Sequence, residues 1–258
     1  MATIQKFYFL DATSPNTGTM PSNSPAVIAG GAVTGDAAGA STARDTSATP
    51  GTANPDTEST ITAVADTNPQ TWGHRRWVSR PLAARGVFTA AEGFWTWSCA
   101  WTELNAAHNA RPNLVMYVWR PSTGARVGTQ SVAIQLAEPG TTQTALNATA
   151  LAQDGIDPQP VANGDILVFD VMSSFTQSMG VAYTDSGAYN GTTEASTTTC
   201  ASFINAPIAL TLGGYQPRNA GVNLQDPGVL MEKLRNVWRP RRPKLWKPEL
   251  WLPEPGVI

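Results

Sequence analysis

Between Trp72 and about Leu212 the chain is a succession of short runs rich in β-branched and aromatic residues, each closed by turn-forming residues. This pattern restricts the fold to sheets of short strands. The runs are Trp77-Val78, Gly86 to Thr89, Phe94 to Trp101, Leu114 to Arg120, Arg126 to Leu136, Asp165 to Met172, Met179 to Thr184 and Ile208 to Leu212. Arg120-Pro-Ser-Thr-Gly124, Glu138-Pro-Gly140, Asn163-Gly-Asp165 and Asp185-Ser-Gly187 separate them and predict turns. Helical period is scarce between the runs, which argues against an α/β fold. Twenty-two Gly and twenty Pro in 258 residues agree, because both are costly inside a helix. The reading is an all-β chain: an antiparallel β-sandwich of jelly-roll type.

Three regions follow from the composition. Residues 1–71 hold one strand, Ile4 to Leu10, and then a low-complexity arm. From Ala12 to Gln70, 46 of 59 residues are Ala, Gly, Ser, Thr, Pro or Asn, with six charges and no aromatic residue. Such a stretch has little apolar surface to offset the entropy of ordering and is expected to be irregular unless an assembly holds it. Residues 72–214 form the sandwich domain, of a size that folds alone. Residues 215–258 begin with Asp226-Pro-Gly228 and an apolar stripe of Leu230, Leu234 and Val237, which predict a short capped helix. Pro240 ends it. Trp238-Arg-Pro240, Trp246-Lys-Pro248 and Trp251-Leu-Pro253 then repeat a Trp-x-Pro unit. So many prolines impose an extended arm, on the order of 55 Å from Trp238 to Gly256 at about 3 Å per residue.

Two strands define the surfaces. Alternation in Phe94 to Trp101 puts Trp95, Trp97, Cys99 and Trp101 on one face, either the sandwich core or an aromatic platform for sugar rings; a packed interior is the favoured reading. Leu114-Val-Met-Tyr-Val-Trp119 is apolar on both faces, so the opposing sheet covers one and an arm or neighbouring subunit the other.

Few residues fit a catalytic centre. Cys99 and Cys200 are too few for a disulfide framework and read as buried thiols; His74 and His108 have no ligand partners at metal spacing. The hydrolase and phosphate-loop signatures G-x-S-x-G, G-x-x-x-x-G-K and G-x-G-x-x-G do not occur. Asp154, Asp157, Asp165 and Asp170 lie near predicted turns, and turn or strand-edge roles fit them better than a glycosidase pair. No catalytic, metal or cofactor site is expected. The net charge of −2 divides unevenly: residues 229–258 carry seven basic and three acidic residues, net +4, which leaves −6 on residues 1–228. Arg239, Arg241 and Arg242 are interleaved with Trp and Pro, which favours docking on an acidic protein surface over nucleic acid. No run approaches eighteen apolar residues and the N-terminus lacks a signal-peptide core, so a protein made in the cytoplasm without membrane insertion is expected.

Phe7-Tyr-Phe-Leu10, Arg76-Trp-Val-Ser-Arg-Pro-Leu-Ala-Ala-Arg85, the run from Tyr117 to Gly128 and Val161-Ala-Asn-Gly-Asp-Ile-Leu-Val-Phe-Asp170 resemble the strand and turn sequences of a family of tailed-bacteriophage virion proteins of β-sandwich type. The resemblance spans residues 7–10 and about 72–172 and excludes the Trp-x-Pro arm. It implies a structural subunit of the tail, neck or capsid surface, located in the virion, with no catalytic residues to carry over. The expected partners are other virion proteins and further copies of the chain. Trp238, Pro240, Trp246, Pro248, Trp251 and Pro253 would then be the docking anchors, beside Arg239, Arg241 and Arg242. The competing reading is a host-glycan or receptor-binding module that uses Trp95, Trp97 and Trp101.

Overall fold

The computed structural model describes residues 2–15, 20, 33–34, 43–51, 56–61, 70–83, 86–88, 94–103, 106, 109–149, 159–175 and 184–212. The chain divides into two units, Met1–Tyr215 and Gln216–Ile258. The second unit, which includes the expected helix and the whole Trp-x-Pro arm, lies outside the described residues.

Among the described residues the regular structure is fourteen strands and no α-helix. They are β1 (Ala2–Thr13), β2 (Val33–Thr34), β3 (Arg44–Ser47), β4 (Asp56–Ile61), β5 (Gln70–Val78), β6 (Gly86–Phe88) and β7 (Thr96–Glu103), then β8 (Ala110–Arg120), β9 (Ala125–Gln135), β10 (Thr144–Thr149), β11 (Gln159–Val161), β12 (Ile166–Phe175), β13 (Thr184–Tyr189) and β14 (Phe203–Leu212). The all-β reading therefore holds. The turn at 120–124 closes the β8–β9 hairpin, with the Gly124 amide donating to the Arg120 carbonyl at 3.0 Å and Gly124 at φ 62°, which suits a residue without a Cβ. Asn163-Gly-Asp165 also turns, with Gly164 at φ 93°.

Asp185-Ser-Gly187, expected to turn, lies inside β13 instead. Gly187 faces Trp101 across the β13–β7 ladder, and a Cβ there would sit 2.0 Å from Cζ3 of the indole. That glycine makes room for a tryptophan. It does not bend the chain.

Twelve strands form one sheet in the order β4-β13-β7-β14-β1-β3-β5-β12-β8-β9, with β10 beside β7 and β2 beside β5; β6 and β11 pair separately. The ladders are antiparallel except β2–β5 and β3–β5, so the sheet is mixed where a wholly antiparallel one was expected. One hydrogen-bonded sheet takes in twelve of the fourteen described strands, whereas the jelly roll read from the sequence divides its strands between two sheets. This sheet folds across itself. Leu114, Met116, Leu167 and Phe169 from one half meet Trp97, Trp101, Ile204 and Leu212 from the other in a single core.

β1 joins the halves. The sequence reading set it apart with the N-terminal arm, yet it lies between β14 and β3 within the sheet. A register shift between Ile4 and Lys6 turns both Ile4 and Phe7 toward the core despite their odd spacing. Phe9 stacks on Trp77 with ring centroids 4.6 Å apart, Phe7 meets Phe169 at 5.5 Å, and the Trp77 indole donates to the Leu10 carbonyl at 2.8 Å. The low-complexity stretch is also partly ordered: β3 pairs with β1 and β5. Two of its polar side chains are tied to the body, since Arg80 donates to Asp45 at 2.7 Å and the Thr46 hydroxyl to the Val78 carbonyl at 3.1 Å. Threonine suits a strand, and ladder hydrogen bonds do not require bulky side chains.

The outer face of the β5–β12–β8 half carries a second apolar cluster of Val78, Val115, Tyr117, Ile166, Val168 and Met172. Met20 and Ala43, from the N-terminal stretch of the same chain, pack on it. The two-sided strand at 114–119 is thus covered on its second face by an arm, one of the two covers expected.

Two substitutions test this packing. Gly187→Ala is expected to cost about 1–3 kcal/mol through overpacking against Trp101, read as a lower denaturant midpoint with unchanged slope. Swapping Trp77 for Leu, which ends both the stack on Phe9 and the bond to Leu10, is expected to cost about 2–4 kcal/mol by the same measurement.

Candidate functional site

Three groups of polar side chains are candidate sites. The first lies beneath the second apolar cluster. Arg76 on β5 and Asp170 on β12 are direct cross-strand neighbours, and both side chains are 1% exposed. The guanidinium binds the carboxylate by two bonds, Nε to Oδ1 at 2.7 Å and an NH2 group to Oδ2 at 3.1 Å. Tyr117 on β8 donates to Asp170 Oδ2 at 3.0 Å and accepts from Arg76 at 3.2 Å. Burial pulls the guanidinium down, but Asp170 more than offsets this and leaves it above its ordinary value. Burial, then the Asp170 charge, drives the Tyr117 phenol upward. A permanently charged arginine and a phenol that keeps its proton do no acid–base chemistry. The group satisfies buried charge.

The second group sits inward, toward one end of the core. Asp185 on β13 lies opposite Glu103 on β7, and both residues are 1% exposed. Asp185 accepts from the Trp101 indole at 3.0 Å and from the Ser173 hydroxyl of β12, which ties the two layers together. Glu103 accepts the Ala110 amide at 3.2 Å. Burial raises the Glu103 carboxyl, the Ala110 amide lowers it, and the charges of Glu138 and Asp185 raise it again; the net shift is upward. No sequence signal marks this carboxylate pair, because residues 82 apart carry no spacing pattern and only the β7–β13 register makes them neighbours. Neither acid lines either of the cavities described next, so no route for a substrate is evident among the described residues.

The third group is on the outer surface of β10, β7 and β14. Thr96, Ser98, Asn147, Phe203 and Asn205 line an open depression of about 380 Å³, to which Trp97 and Ala148, whose side chains pack in the core, also contribute. Asn205 donates to the Thr96 hydroxyl at 3.1 Å. Next to it, Lys6 binds both Glu194 oxygens at 2.8 and 2.9 Å and lies 4.5 Å from the Phe203 ring centroid, while Tyr8 also donates to Glu194. Burial would raise the Glu194 carboxyl, but its bonds from Lys6 and Tyr8 prevail and lower it. The depression offers hydroxyls and amides without a nucleophile, so its chemistry is hydrogen bonding. A separate core cavity of about 10 Å³ among Phe9, Trp77, Trp97 and Tyr189 is apolar and has no room for a cofactor.

Of the residues singled out from the sequence, Asp170 lies inside β12 in the first group and not at a turn, Trp101 donates to Asp185 in the second, and Trp97 contributes to the third. Trp95, Trp97 and Trp101 are 4%, 1% and 2% exposed and belong to the core, which overturns the sugar-platform reading, since a platform needs open indole faces. Trp97 and Trp101 instead make an edge-to-face contact with each other at 6.4 Å. Asp165 binds Arg120 through two bonds of 2.8 Å and accepts the Ala162 amide, a turn role. Cys99 and Cys200 are free and buried; burial pushes Cys200 up to about 11 and Cys99 well above its ordinary value, so neither is a ready thiolate. Among the described residues no cluster of three or more His, Cys, Asp or Glu side chains forms a metal site. Asp154, Asp157, His108, the His74 side chain, Trp238, Arg239, Pro240, Arg241, Arg242, Trp246, Pro248, Trp251 and Pro253 lie outside the described residues.

Two expectations follow. Asp170→Asn leaves the buried Arg76 without its counter-charge and is expected to cost about 3–5 kcal/mol, while the double change Arg76→Met with Asp170→Leu costs much less; equal losses in urea unfolding would refute the ion-pair account. For Glu103, the folded chain holds the proton more tightly than the unfolded chain, whose carboxyl titrates near its ordinary value of 4.5. Its contribution to stability is therefore full below that value and is lost as pH rises through the raised one. Glu103→Gln is expected to flatten the fall in Tm over that window, and an unchanged slope would contradict it.

No protein-family model matches the chain, and no curated protein matches it. Among solved structures it has a distant likeness to the structure of the infectious bursal disease virus Gt strain, at 12% identity over 74% of this chain and 49% of that one, with a TM-score of 0.26. The structure of the Gx strain of the same virus gives 11% identity over 72% and 46% of the two chains, with a TM-score of 0.24. The chain spans about half the length of the chains it matches.

Proposed function

We propose that the protein is a non-enzymatic structural subunit of a bacteriophage particle, at its tail, neck or capsid surface, that docks on neighbouring virion proteins through its C-terminal arm. The observation that carries this reading is the triple Trp-x-Pro sequence at 238–253. Three indoles within sixteen residues favour burial in pockets, and the interleaved prolines hold the arm extended, so docking orders less chain. The basic residues Arg239, Arg241 and Arg242 suit an acidic receiving surface. The body is consistent with a scaffold: its buried Arg76–Asp170 pair is matched within the body, its cysteines are free and buried, and its N-terminal strand is spent on its own sheet. Strand and turn sequences resembling those of phage virion proteins support the same reading.

A chain ending at Trp238 is expected to fold with the circular dichroism and Tm of the full chain but to be missing from purified particles. The full-length variant carrying Trp246→Ala and Trp251→Ala is expected to be depleted from particles by at least about tenfold, the effect of losing two aromatic anchors. Normal incorporation of either would overturn the docking role.

A further inference from the structure

We propose that the free edge of β10 is a self-association site, where Thr144–Thr149 of one copy pairs antiparallel with the same strand of a second copy. Among the described residues β10 hydrogen-bonds to β7 alone, in an unbroken register from Thr144↔Trp101 to Thr149↔Thr96. Its other edge has no partner strand among the described residues, and a row of backbone groups left open in this way is the template that sheets usually blunt. The other two ends of the sheet path carry such protection. β4 reads Asp-Thr-Glu-Ser-Thr-Ile, with two acids, and the β8–β9 ladder is irregular between Met116 and Val118. β10 reads Thr-Ala-Leu-Asn-Ala-Thr, without charge, proline or bulge.

The side chains agree. None of the five from Thr144 to Ala148 is buried, although Leu146 and Ala148 pack against the main core. Asn147 and Ala145 pair with Ser98 and Ala100 on the outer face, while Leu146 and Ala148 pair with Cys99 and Trp97 on the inner one. A two-fold axis normal to the sheet keeps every side chain on its own face. Leu146 and Ala148 of both copies then share one inner surface and complete each other's burial, and the sheets become continuous.

Charge selects a second copy as the occupant. Residues 139–153 hold no charged residue, within a body that carries −6 over residues 1–228. Two acidic bodies repel over most of their surface but not here, and a foreign partner suited to an acidic body would be recognised by basic residues that find no counterpart on this edge. The seam is short, so binding is weak in isolation and gains from repetition in an assembly.

The test follows the full chain by sedimentation and by hydrogen exchange from about 1 to about 300 μM, a range suited to a small interface. Self-association with exchange at 144–149 slowed about tenfold or more, as for amides newly placed in a ladder, is the expected result. Ala145→Lys with Asn147→Lys, on the outer face, sets like charges across the seam and is expected to weaken association at least tenfold at unchanged circular dichroism. A monomer throughout the range, or association without slower exchange at 144–149, overturns the proposal. So does protection at 144–149 that needs a different protein. Association through the Trp-x-Pro arm slows exchange at 238–253 instead, so this seam and the arm fail or succeed separately.

Discussion

The insertion of β1 between β14 and β3 is the contact on which the rest of the unit depends. One half of the sheet is built on β7 and β14, the other on β5, β12 and β8, and β1 with β3 is the hydrogen-bonded bridge between them. Phe7 and Phe9 reach from that bridge to Phe169 and Trp77, and Trp77 in turn meets Tyr189 edge-on at 5.0 Å. Rings supplied by β1, β5, β12 and β13 thus close one core. Aromatic contacts of this kind add directional preference to area burial, which is how they hold the angle between two layers.

Polar groups inside the body serve the same closure. Arg76, Asp170 and Tyr117 neutralise one another under Met20 and Ala43, so the outer face of a strand can be covered without stranding a charge. Asp185 reaches from β13 to Ser173 on β12 and to Trp101 on β7, a polar tie across the layers. These groups resemble catalytic ingredients when met singly in the sequence. Their partners make them structural, because Asp170 is bonded by Arg76 and Tyr117 and Asp185 by Trp101 and Ser173, donors on neighbouring strands and not groups facing a cleft.

Local signals were legible where the chemistry is local. Gly124 and Gly164 adopt positive φ at predicted turns, and the alternation that put Trp95, Trp97, Cys99 and Trp101 on one face is the one observed. Signals failed where the cause is distant. Asp185-Ser-Gly187 has the composition of a turn, but Gly187 answers to an indole on β7. β3 emerges from a stretch too poor in apolar residues to order itself, and it does so because β1 and β5 leave a ladder position between them. β10, in Thr-Ala-Leu-Asn-Ala-Thr, has too weak an alternation to be noticed without β7 beside it.

By itself the sequence determined that the protein is all-β, which face of β7 is apolar, and that a basic arm of three Trp-x-Pro units follows an acidic body. Each of these rests on residue type and near-neighbour spacing summed over many residues, where the local signals agree with one another. Only the tertiary structure decided that the tryptophan face is interior, that Glu103 and Asp185 are neighbours, that the N-terminal strand belongs to the body, and that β10 pairs with β7. Those are properties of register and of sheet order. Both are set by contacts between residues far apart in the chain, where the energy of pairing depends on what the other strands have already claimed.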